Sequence, residues 1–235
     1  GTEQFQEKTR YKSFLINLDR RPDRMDDIAK QRQNLPADME RVSAYDGTKL
    51  VVTPRLRSLC KNGNYFMRPG VIGCALSHMK LYDRLLHHES DDVDGYVIFE
   101  DDVKADENFL KQMRRTFSIT ENKGERPDII FFTTVPRFFY DVYTAKGIVR
   151  KNTLEEISND SVGGTGCYYI SKKGAKAALD YIEEHTLSVA IDIILFRLAP
   201  KIVLYFVLPP ILTQYEDNAV SDVQGDYYSR SPLYE

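Results

Sequence analysis

The feature that most constrains the fold is a short apolar run that ends in three carboxylates, Val97-Ile98-Phe99-Glu100-Asp101-Asp102-Val103. The run is rich in β-branched and aromatic residues, which predicts a buried strand rather than a helix. Like charges gathered at the end of a buried strand are unfavourable unless a cation lies among them. Because ligands of open α/β sheets bind beyond the carboxyl ends of the strands, we expect a metal and a charged ligand here.

The acid cluster suits a hard cation. Side chains alternate along an extended segment, so Glu100 and Asp102 are expected on one side and Asp101 on the other. Two carboxylates on one side suit Mg²⁺ or Mn²⁺. A solvated acidic turn is the alternative, and the acidic residues 106 and 107 fit it. The apolar strand that leads directly into the cluster favours metal binding.

Composition narrows the class of protein. The chain has 235 residues, a net charge of −3 and a pI near 5.9, which argues against a nucleic-acid binder that depends on phosphate contacts. The three cysteines are far apart, and Cys74 and Cys167 lie in apolar segments that predict small buried residues. The first ten residues are too polar for a signal peptide.

One apolar segment, residues 188–212, has to be judged as a possible membrane span. Prolines and charged residues interrupt it, so we predict a buried helix followed by a buried strand and no transmembrane segment. No linker or internal repeat is evident. We therefore divide the chain into an N-terminal extension or tag remnant (1–11), one domain (12–215) and a C-terminal arm (216–235).

The order of elements predicts a sheet that begins β-α-β and is mostly parallel. Pro22 suits the first position of the first helix, and Ser171 suits a helix cap. Residues 48–69 form a long basic connection, and residues 137–158 are ambiguous, with an edge hairpin as one option. The predicted strands are 12–18, 39–45, 97–103, 128–133 and 167–170, and the predicted helices are 23–35, 70–89, 108–117 and 172–185.

Three further groups of polar residues are candidates for a site. The junction from Asn17 to Arg24 offers backbone N–H groups and guanidinium groups to a phosphate, but an ordinary charged helix start fits equally well. Ser77 and His78 point about 100° apart on a helix, so they cannot form a nucleophile–base pair, and a buried, hydrogen-bonded histidine is favoured. Asp192 lies in an apolar run and is either a satisfied structural carboxylate or a general base.

Several well-known motifs do not occur in the sequence. It contains no Gly-x-x-x-x-Gly-Lys-Ser/Thr loop and no Gly-x-Gly-x-x-Gly fingerprint. A Gly-x-Ser-x-Gly elbow is also lacking. These absences weigh against an ATPase, a simple dehydrogenase and an α/β-hydrolase.

Taken together, these residues resemble glycosyltransferase family 25, the family of bacterial lipooligosaccharide galactosyltransferases and procollagen galactosyltransferases. Six blocks in the same order are far more specific than any one of them, and they span residues 14 to about 221. The blocks are 14–24, 44–47, 70–78, 98–103, 164–171 and 190–192.

The resemblance implies a GT-A-like α/β fold with a mostly parallel central sheet flanked by helices. It also implies inverting transfer of a hexose, galactose or glucose, from a UDP-sugar to a hydroxyl of a glycan or of a hydroxylysine-type acceptor. The implied cofactor is Mn²⁺, with Mg²⁺ as the alternative, held by Glu100 and Asp102, and the implied base is Asp192. The residues implied to bind the nucleotide sugar are Asn17, Leu18, Asp19, Arg24, Asp46, Ser77, His78, Asp101, Gly164 and Thr165.

Two other functions remain as alternatives. A catalytically inactive nucleotide-sugar or glycan-binding module would keep the same fold. A response-regulator-like domain is disfavoured, because such domains draw acids from the end of the first strand, whereas this cluster follows a later one. We expect a cytoplasmic enzyme of bacterial or viral origin, with a domain cut from a larger secretory protein as the alternative.

Overall fold

The computed structural model describes residues 8–60, 68–133, 147–160 and 164–214, and every structural statement below refers to these residues. The strands are β1 (Tyr11–Asn17), β2 (Glu40–Ser43), β3 (Gly95–Glu100), β4 (Val103–Lys104), β5 (Ile129–Phe131), β6 (Gly147–Lys151), β7 (Cys167–Ser171), β8 (Leu204–Leu208) and β9 (Thr213–Gln214). The α-helices are α1 (Pro22–Lys30), α2 (Pro54–Cys60), α3 (Pro69–His87), α4 (Phe109–Asn122), α5 (Leu154–Asp160), α6 (Lys172–His185) and α7 (Ile191–Arg197).

Seven strands form one sheet in the order β2-β1-β3-β7-β5-β8-β6. Five of them run in one direction, while β7 and the edge strand β6 run against their neighbours. The short strands β4 and β9 pair separately. The predicted α/β fold with a mostly parallel central sheet is therefore confirmed. Because β7 is reversed, its first residue lies at the same sheet edge as the last residues of β1 and β3.

Alternating side chains divide the core into two layers, one on each face of the sheet. Phe14 and Ile98 face the layer formed with α3, α6 and α7. Leu15 and Phe99 face the layer formed with α1 and α4. Alternate residues of one strand point to opposite faces, so a sheet covered on both sides needs continuous apolar strands. The burial of all these side chains to 1% exposure or less fits that requirement.

Most of the predicted elements are present. The chain opens β1-α1-β2 with parallel pairing, and α1 begins at Pro22. The α6 helix spans the predicted residues, and Ser171 caps it by accepting a hydrogen bond from the Gly174 N–H at 3.0 Å. The apolar segment 188–212 folds into α7 and β8, as predicted. Among the described helices, none has both the length and the apolar character needed to cross a bilayer.

Some predictions differ from the structure: α1 ends at Lys30 rather than at residue 35, and α4 continues to Asn122 rather than ending at residue 117. The connection 48–69 contains the helix α2, which buries Leu56 and Leu59. The strand that leads into the acid cluster stops at Glu100, and residues 101–102 form a turn. Within the ambiguous segment, β6 forms the sheet edge beside β8 and α5 follows it, while residues 137–146 lie outside the described residues. The predicted C-terminal arm, 216–235, also lies outside them.

Candidate functional site

A cleft opens at the carboxyl ends of β1 and β3, where the N-terminal half of α3 crosses the sheet edge. It contains about 680 Å³ of space, including the part that is open to solvent. The described lining residues are Ile16, Leu18, Arg20, Arg24, Ala44, Tyr45, Gly47, Gly70, Cys74, Ser77, His78, Glu100, Asp101 and Asp102.

Glycines allow α3 to approach the sheet edge closely enough to form one wall of this cleft. A Cβ on Gly73 of α3 would lie 2.6 Å from the backbone oxygen of Tyr45. A Cβ on Gly47 would lie 2.4 Å from the backbone carbonyl of Pro69, the first residue of α3. The obstructing atoms are backbone atoms, which cannot rotate away. Both glycines are therefore needed for the observed distance between α3 and the Tyr45–Gly47 turn.

Glu100 lies at the centre of the acid cluster. Burial of its carboxylate, and next the negative charge of Asp102, raise the pKa of Glu100 to about 8, while the hydrogen bond from the Thr165 hydroxyl opposes this rise. Thr165 Oγ1 donates to Glu100 Oε1 at 2.7 Å. A carboxyl group with such a pKa is mostly protonated at neutral pH unless a positive charge is supplied.

Asp101 is held by the first strand and the first helix. Asn17 donates its side-chain amide to Asp101 Oδ2 at 2.7 Å, and Arg24 Nη1 lies 3.9 Å from Asp101 Oδ1. Asn17 also donates to the backbone oxygen of Arg21 and accepts from Arg41 Nε. Asn17 and Arg24 are buried, so they fix the position of Asp101. Asn17 itself is not among the described residues that line the cleft.

Asp102 faces the cleft from the turn that follows β3. Gln214 Nε2 donates to both carboxylate oxygens of Asp102, at 3.0 and 3.2 Å. The turn directs Asp101 and Asp102 to different partners, but both residues and Glu100 line the same cleft. The extended backbone assumed for these residues ends at Glu100, so Asp101 and Asp102 take their directions from the turn.

Asp192 lies in the first turn of α7, close to the acid cluster. Its charge contributes to the raised pKa of Glu100. Oδ2 accepts a hydrogen bond from the Gly164 N–H at 3.0 Å, and Oδ1 accepts one from the Ile193 N–H at 2.8 Å. Gly164 has a φ of +100°, a conformation that favours glycine. Residues 164 and 165 thus connect Asp192 to Glu100 through two consecutive hydrogen bonds.

Ser77 and His78 have different environments on α3. Ser77 Oγ donates to the Gly73 carbonyl at 2.7 Å and accepts from the Tyr45 N–H at 2.8 Å, which ties α3 to the sheet edge. His78 is buried, and its Nδ1 lies 2.6 Å from the Tyr168 hydroxyl. Burial lowers the pKa of His78 to about 3, so the imidazole is neutral. The expected buried, hydrogen-bonded histidine is confirmed.

Several predicted site residues lie outside the described lining of the cleft: Asn17, Asp19, Asp46, Gly164, Thr165 and the predicted base Asp192. The side chain of Asp19 is 76% exposed and bonds to Arg41 and Ser43. Asp46 accepts hydrogen bonds from Thr48 and from Arg20 Nε. Burial of Asp46 raises its pKa, but these hydrogen bonds outweigh that effect and the pKa is lowered. Through Arg20, Asp46 orients a guanidinium group that does line the cleft.

Sequence reasoning missed three residues at the site, whereas Arg20, which was expected to offer its guanidinium group to a phosphate, does line the cleft. Tyr45 lines the cleft and is 47% exposed. Cys74 also lines the cleft, although its sequence context predicted only a small buried residue. Gln214 contacts Asp102 from a strand 112 positions further along the chain. The family blocks contain Tyr45 and Cys74 but gave no orientation for their side chains, and nothing in the sequence marked Gln214.

The donor set fits a divalent cation. Glu100 and Asp102 supply oxygen atoms, which Mg²⁺ and Mn²⁺ prefer. The charge of Asp102 raises the pKa of Glu100, so the two groups are close enough to repel each other. A cation between them would remove that repulsion and stabilise the ionised form of Glu100. The residues present are therefore suited to hold the metal predicted from the sequence.

Comparison with known proteins identifies a matching family and several related sequences. The sequence model of glycosyltransferase family 25, described as an LPS biosynthesis protein family, matches residues 10–195. A protein of Aedes aegypti named glycosyltransferase 25 family member is 28% identical over 176 residues, which cover 71% of this chain and 27% of that protein. Human procollagen galactosyltransferase 2 is 31% identical over 111 residues, which cover 43% of this chain and 17% of that protein.

The chain thus spans less than a third of the length of either relative. Among solved structures, a mannose-1-phosphate geranyltransferase from Thermus thermophilus aligns with a TM-score of 0.36 and 10% identity, over 86% of this chain and 74% of that one. A likeness this weak says nothing about function.

Proposed function

This chain belongs to glycosyltransferase family 25, and we propose that it transfers a hexose from a UDP-sugar to a hydroxyl acceptor in a metal-dependent reaction. The observation that carries the proposal is the cleft in which Glu100, Asp101 and Asp102 lie together with Arg20 and Arg24. Carboxylates that can hold a cation, next to guanidinium groups, make a site suited to a diphosphate. The acceptor we propose is a glycan or a hydroxylysine-type side chain, as the resemblance found in the sequence implies.

The acid cluster is the proposed diphosphate end of the donor site. Glu100 and Asp102 are the residues that would hold Mn²⁺, which when bound neutralises the charge that develops on the departing diphosphate. Asp101 is already engaged with Asn17 and Arg24, so its proposed task is to orient Arg24 toward the donor.

The end of β1 is the proposed nucleotide end. Leu18 and Tyr45 offer apolar and aromatic surface for a base, and Arg20 offers a guanidinium group, held by Asp46, for a phosphate. Base stacking on an exposed tyrosine requires little rearrangement because the ring has few rotatable bonds. This division places the base at the mouth of the cleft and the sugar near the acid cluster.

Asp192 is the proposed base. Its two backbone hydrogen bonds orient the carboxylate and leave further lone pairs free to accept a proton. In the proposed step the acceptor oxygen attacks the anomeric carbon and its proton moves to Asp192. The bond from that carbon to the phosphate oxygen breaks, and its electron pair leaves with the diphosphate.

The test combines donor binding with turnover. A thermal-shift screen of nucleotide sugars with and without Mn²⁺ identifies the donor, because a ligand of the native state raises stability by mass action. Transfer and donor hydrolysis are then measured for wild type, Asp102→Ala and Asp192→Asn, with the exposed Glu107→Gln as control. Asp192→Asn should bind the donor but lose at least about 10²-fold in turnover. Asp102→Ala should lose the stabilisation that requires Mn²⁺.

The alternative is a nucleotide-sugar or glycan-binding module without catalytic activity. It predicts Mn²⁺-dependent binding of a UDP-sugar by wild type with no turnover of any donor, and an Asp192→Asn variant that behaves like wild type. The absence of turnover would replace the transferase proposal with this alternative, and a fully active Asp192→Asn variant would remove Asp192 as the base.

A further inference from the structure

The Cys74 thiol faces the cleft beside two other groups that can bind a metal. Cys74 and His78 are four residues apart on α3, so their side chains lie on the same helix face. Glu100 reaches the same point from the end of β3. Among the described residues, these three form the one group of histidine, cysteine and acidic side chains whose ligand atoms all lie within 4.8 Å of one another.

One ring nitrogen of His78 is unused. Its Nδ1 is engaged with the Tyr168 hydroxyl, while Nε2 is buried and has no hydrogen-bond partner in the described part of the chain. When Nδ1–H donates to Tyr168, Nε2 keeps its lone pair for a ligand. Histidines that bind metals commonly donate their other ring N–H to a neighbouring acceptor in this way, which fixes the tautomer and the ring orientation.

We propose that Cys74, His78 and Glu100 form a second cation site, one that selects a thiophilic divalent ion such as Zn²⁺. The thiolate and imidazole are softer ligands than the oxygen pair of Glu100 and Asp102, and they suit Zn²⁺ better than Mn²⁺. Three protein ligands leave a fourth tetrahedral position for water. On binding, the Cys74 thiol releases its proton to solvent and the sulfur forms a bond to the ion.

The ligand atoms of Cys74, His78 and Glu100 are close enough to reach zinc-binding distances with a small movement. Ligand atoms around a tetrahedral zinc ion lie roughly 3.3–3.8 Å apart, given bond lengths of about 2.0–2.3 Å. Atoms that now lie within 4.8 Å of one another therefore need to approach by at most about 1.5 Å. Rotation of the Cys74 and Glu100 side chains can bring their ligand atoms this much closer, while His78 keeps its hydrogen bond to Tyr168.

Glu100 belongs to both donor sets, so the two ions compete. Zn²⁺ bound by Cys74 and His78 takes the carboxylate that the proposed Mn²⁺ needs, and inhibition by Zn²⁺ should weaken as Mn²⁺ increases. This consequence rests on the proposed function, but the binding site itself does not, because the ligands and their proximity are independent of turnover.

Cobalt provides a spectroscopic test without turnover. Tag-free, reduced wild-type protein titrated with Co²⁺ should develop a thiolate-to-cobalt charge-transfer band and the visible bands of tetrahedral Co²⁺, and Zn²⁺ should abolish both. Cys74→Ser should remove the thiolate band, and His78→Gln should weaken binding at least tenfold. Cys60→Ser and Cys167→Ser, which change buried cysteines outside the described cleft lining, should leave the spectrum unchanged.

A second measurement needs no variant. In wild type, Zn²⁺ should slow alkylation of Cys74 at least tenfold relative to Zn²⁺-free protein, as measured by mass spectrometry of the Cys74 peptide. The absence of a thiolate band in wild type, an identical band in Cys74→Ser, or unprotected Cys74 would each overturn the site. If the cobalt spectrum appears as expected but no sugar is transferred, the site stands and the proposed function fails.

Discussion

Thr165 donates its hydroxyl proton to Glu100 Oε1 at 2.7 Å, which joins the loop before β7 to the end of β3. Thr165 is buried. The residue before it, Gly164, donates its backbone N–H to Asp192. One short loop therefore positions both the proposed metal ligand and the proposed base. A substitution in this loop should therefore affect both the proposed metal ligand and the proposed base. A substitution of Glu100 or of Asp192 alone should affect only one of these two roles.

Replacing Thr165 with valine should weaken cation binding with little change in shape. The hydroxyl lowers the pKa of Glu100, so its loss should raise that pKa by about one unit, on the scale of a hydrogen bond to a charged group. The proposed affinity for Mn²⁺ at pH 7 should fall roughly tenfold and recover at higher pH, as measured by titration calorimetry. Thr116→Val, which removes a buried threonine hydroxyl on α4, should bind Mn²⁺ like wild type.

Replacing Glu100 with glutamine should change how stability depends on pH. The pKa of Glu100 is raised in the folded state from 4.5 to about 8, so folding favours the protonated form. Its contribution is fully present below pH 4.5 and is lost as the pH rises toward 8. In chelator-treated samples, the Tm of Glu100→Gln relative to wild type should therefore rise between these values. Equal pH profiles for the two proteins would show that Glu100 is not protonated in the native state.

Replacing Asn17 with alanine should destabilise the protein by about 2–3 kcal/mol, because it removes three hydrogen bonds made by a buried side-chain amide. The partners are Asp101, the Arg21 carbonyl and Arg41. Urea denaturation measures the loss. Asn34→Ala, which removes one side-chain hydrogen bond to the Ala105 carbonyl, is the matched control and should lose about 1 kcal/mol or less. Similar losses for both variants would contradict the anchoring role of Asn17.

Replacing Gly73 with alanine should destabilise the protein, although the same substitution usually stabilises a helix. Alanine favours a helix by about 1 kcal/mol over glycine, but here its Cβ would lie 2.6 Å from the Tyr45 backbone oxygen and 3.0 Å from the Gly47 nitrogen. Overpacking of this kind typically costs about 1–3 kcal/mol. We expect a net loss of stability in urea and a larger loss of UDP binding, since α3 must move away from the cleft. A more stable variant that binds UDP normally would refute the close-packing argument.

Local sequence patterns predicted individual strands and helices well, because these elements depend on residues that are close together in the chain. The strand pattern of 12–18 and the cap at Ser171 placed β1 and α6 to within one residue. The helix α2 was missed because it is short and lies in a long connection that contains glycine, asparagine, proline and several basic residues. The central sheet order depends on pairings between distant strands, which periodicity does not encode.

The candidate site was predicted in part. The position of Glu100, Asp101 and Asp102 at a strand end followed from the sequence, but their directions did not, because the turn at residues 101–102 replaces the assumed extended backbone. Cys74 could not be placed in the cleft, since an apolar helix pattern does not say which face meets the sheet edge. The contact of Gln214 with Asp102 depends on a strand pair formed far along the chain.

The register between β7 and β3 has a further consequence. Sliding one strand past the other by two residues would keep every side chain on its proper face, yet would carry Thr165 about 7 Å away from Glu100. The contact between Thr165 and Glu100 can therefore form only when β3 and β7 pair in the native register, and the arrangement of the acids in the cleft depends on correct assembly of the sheet.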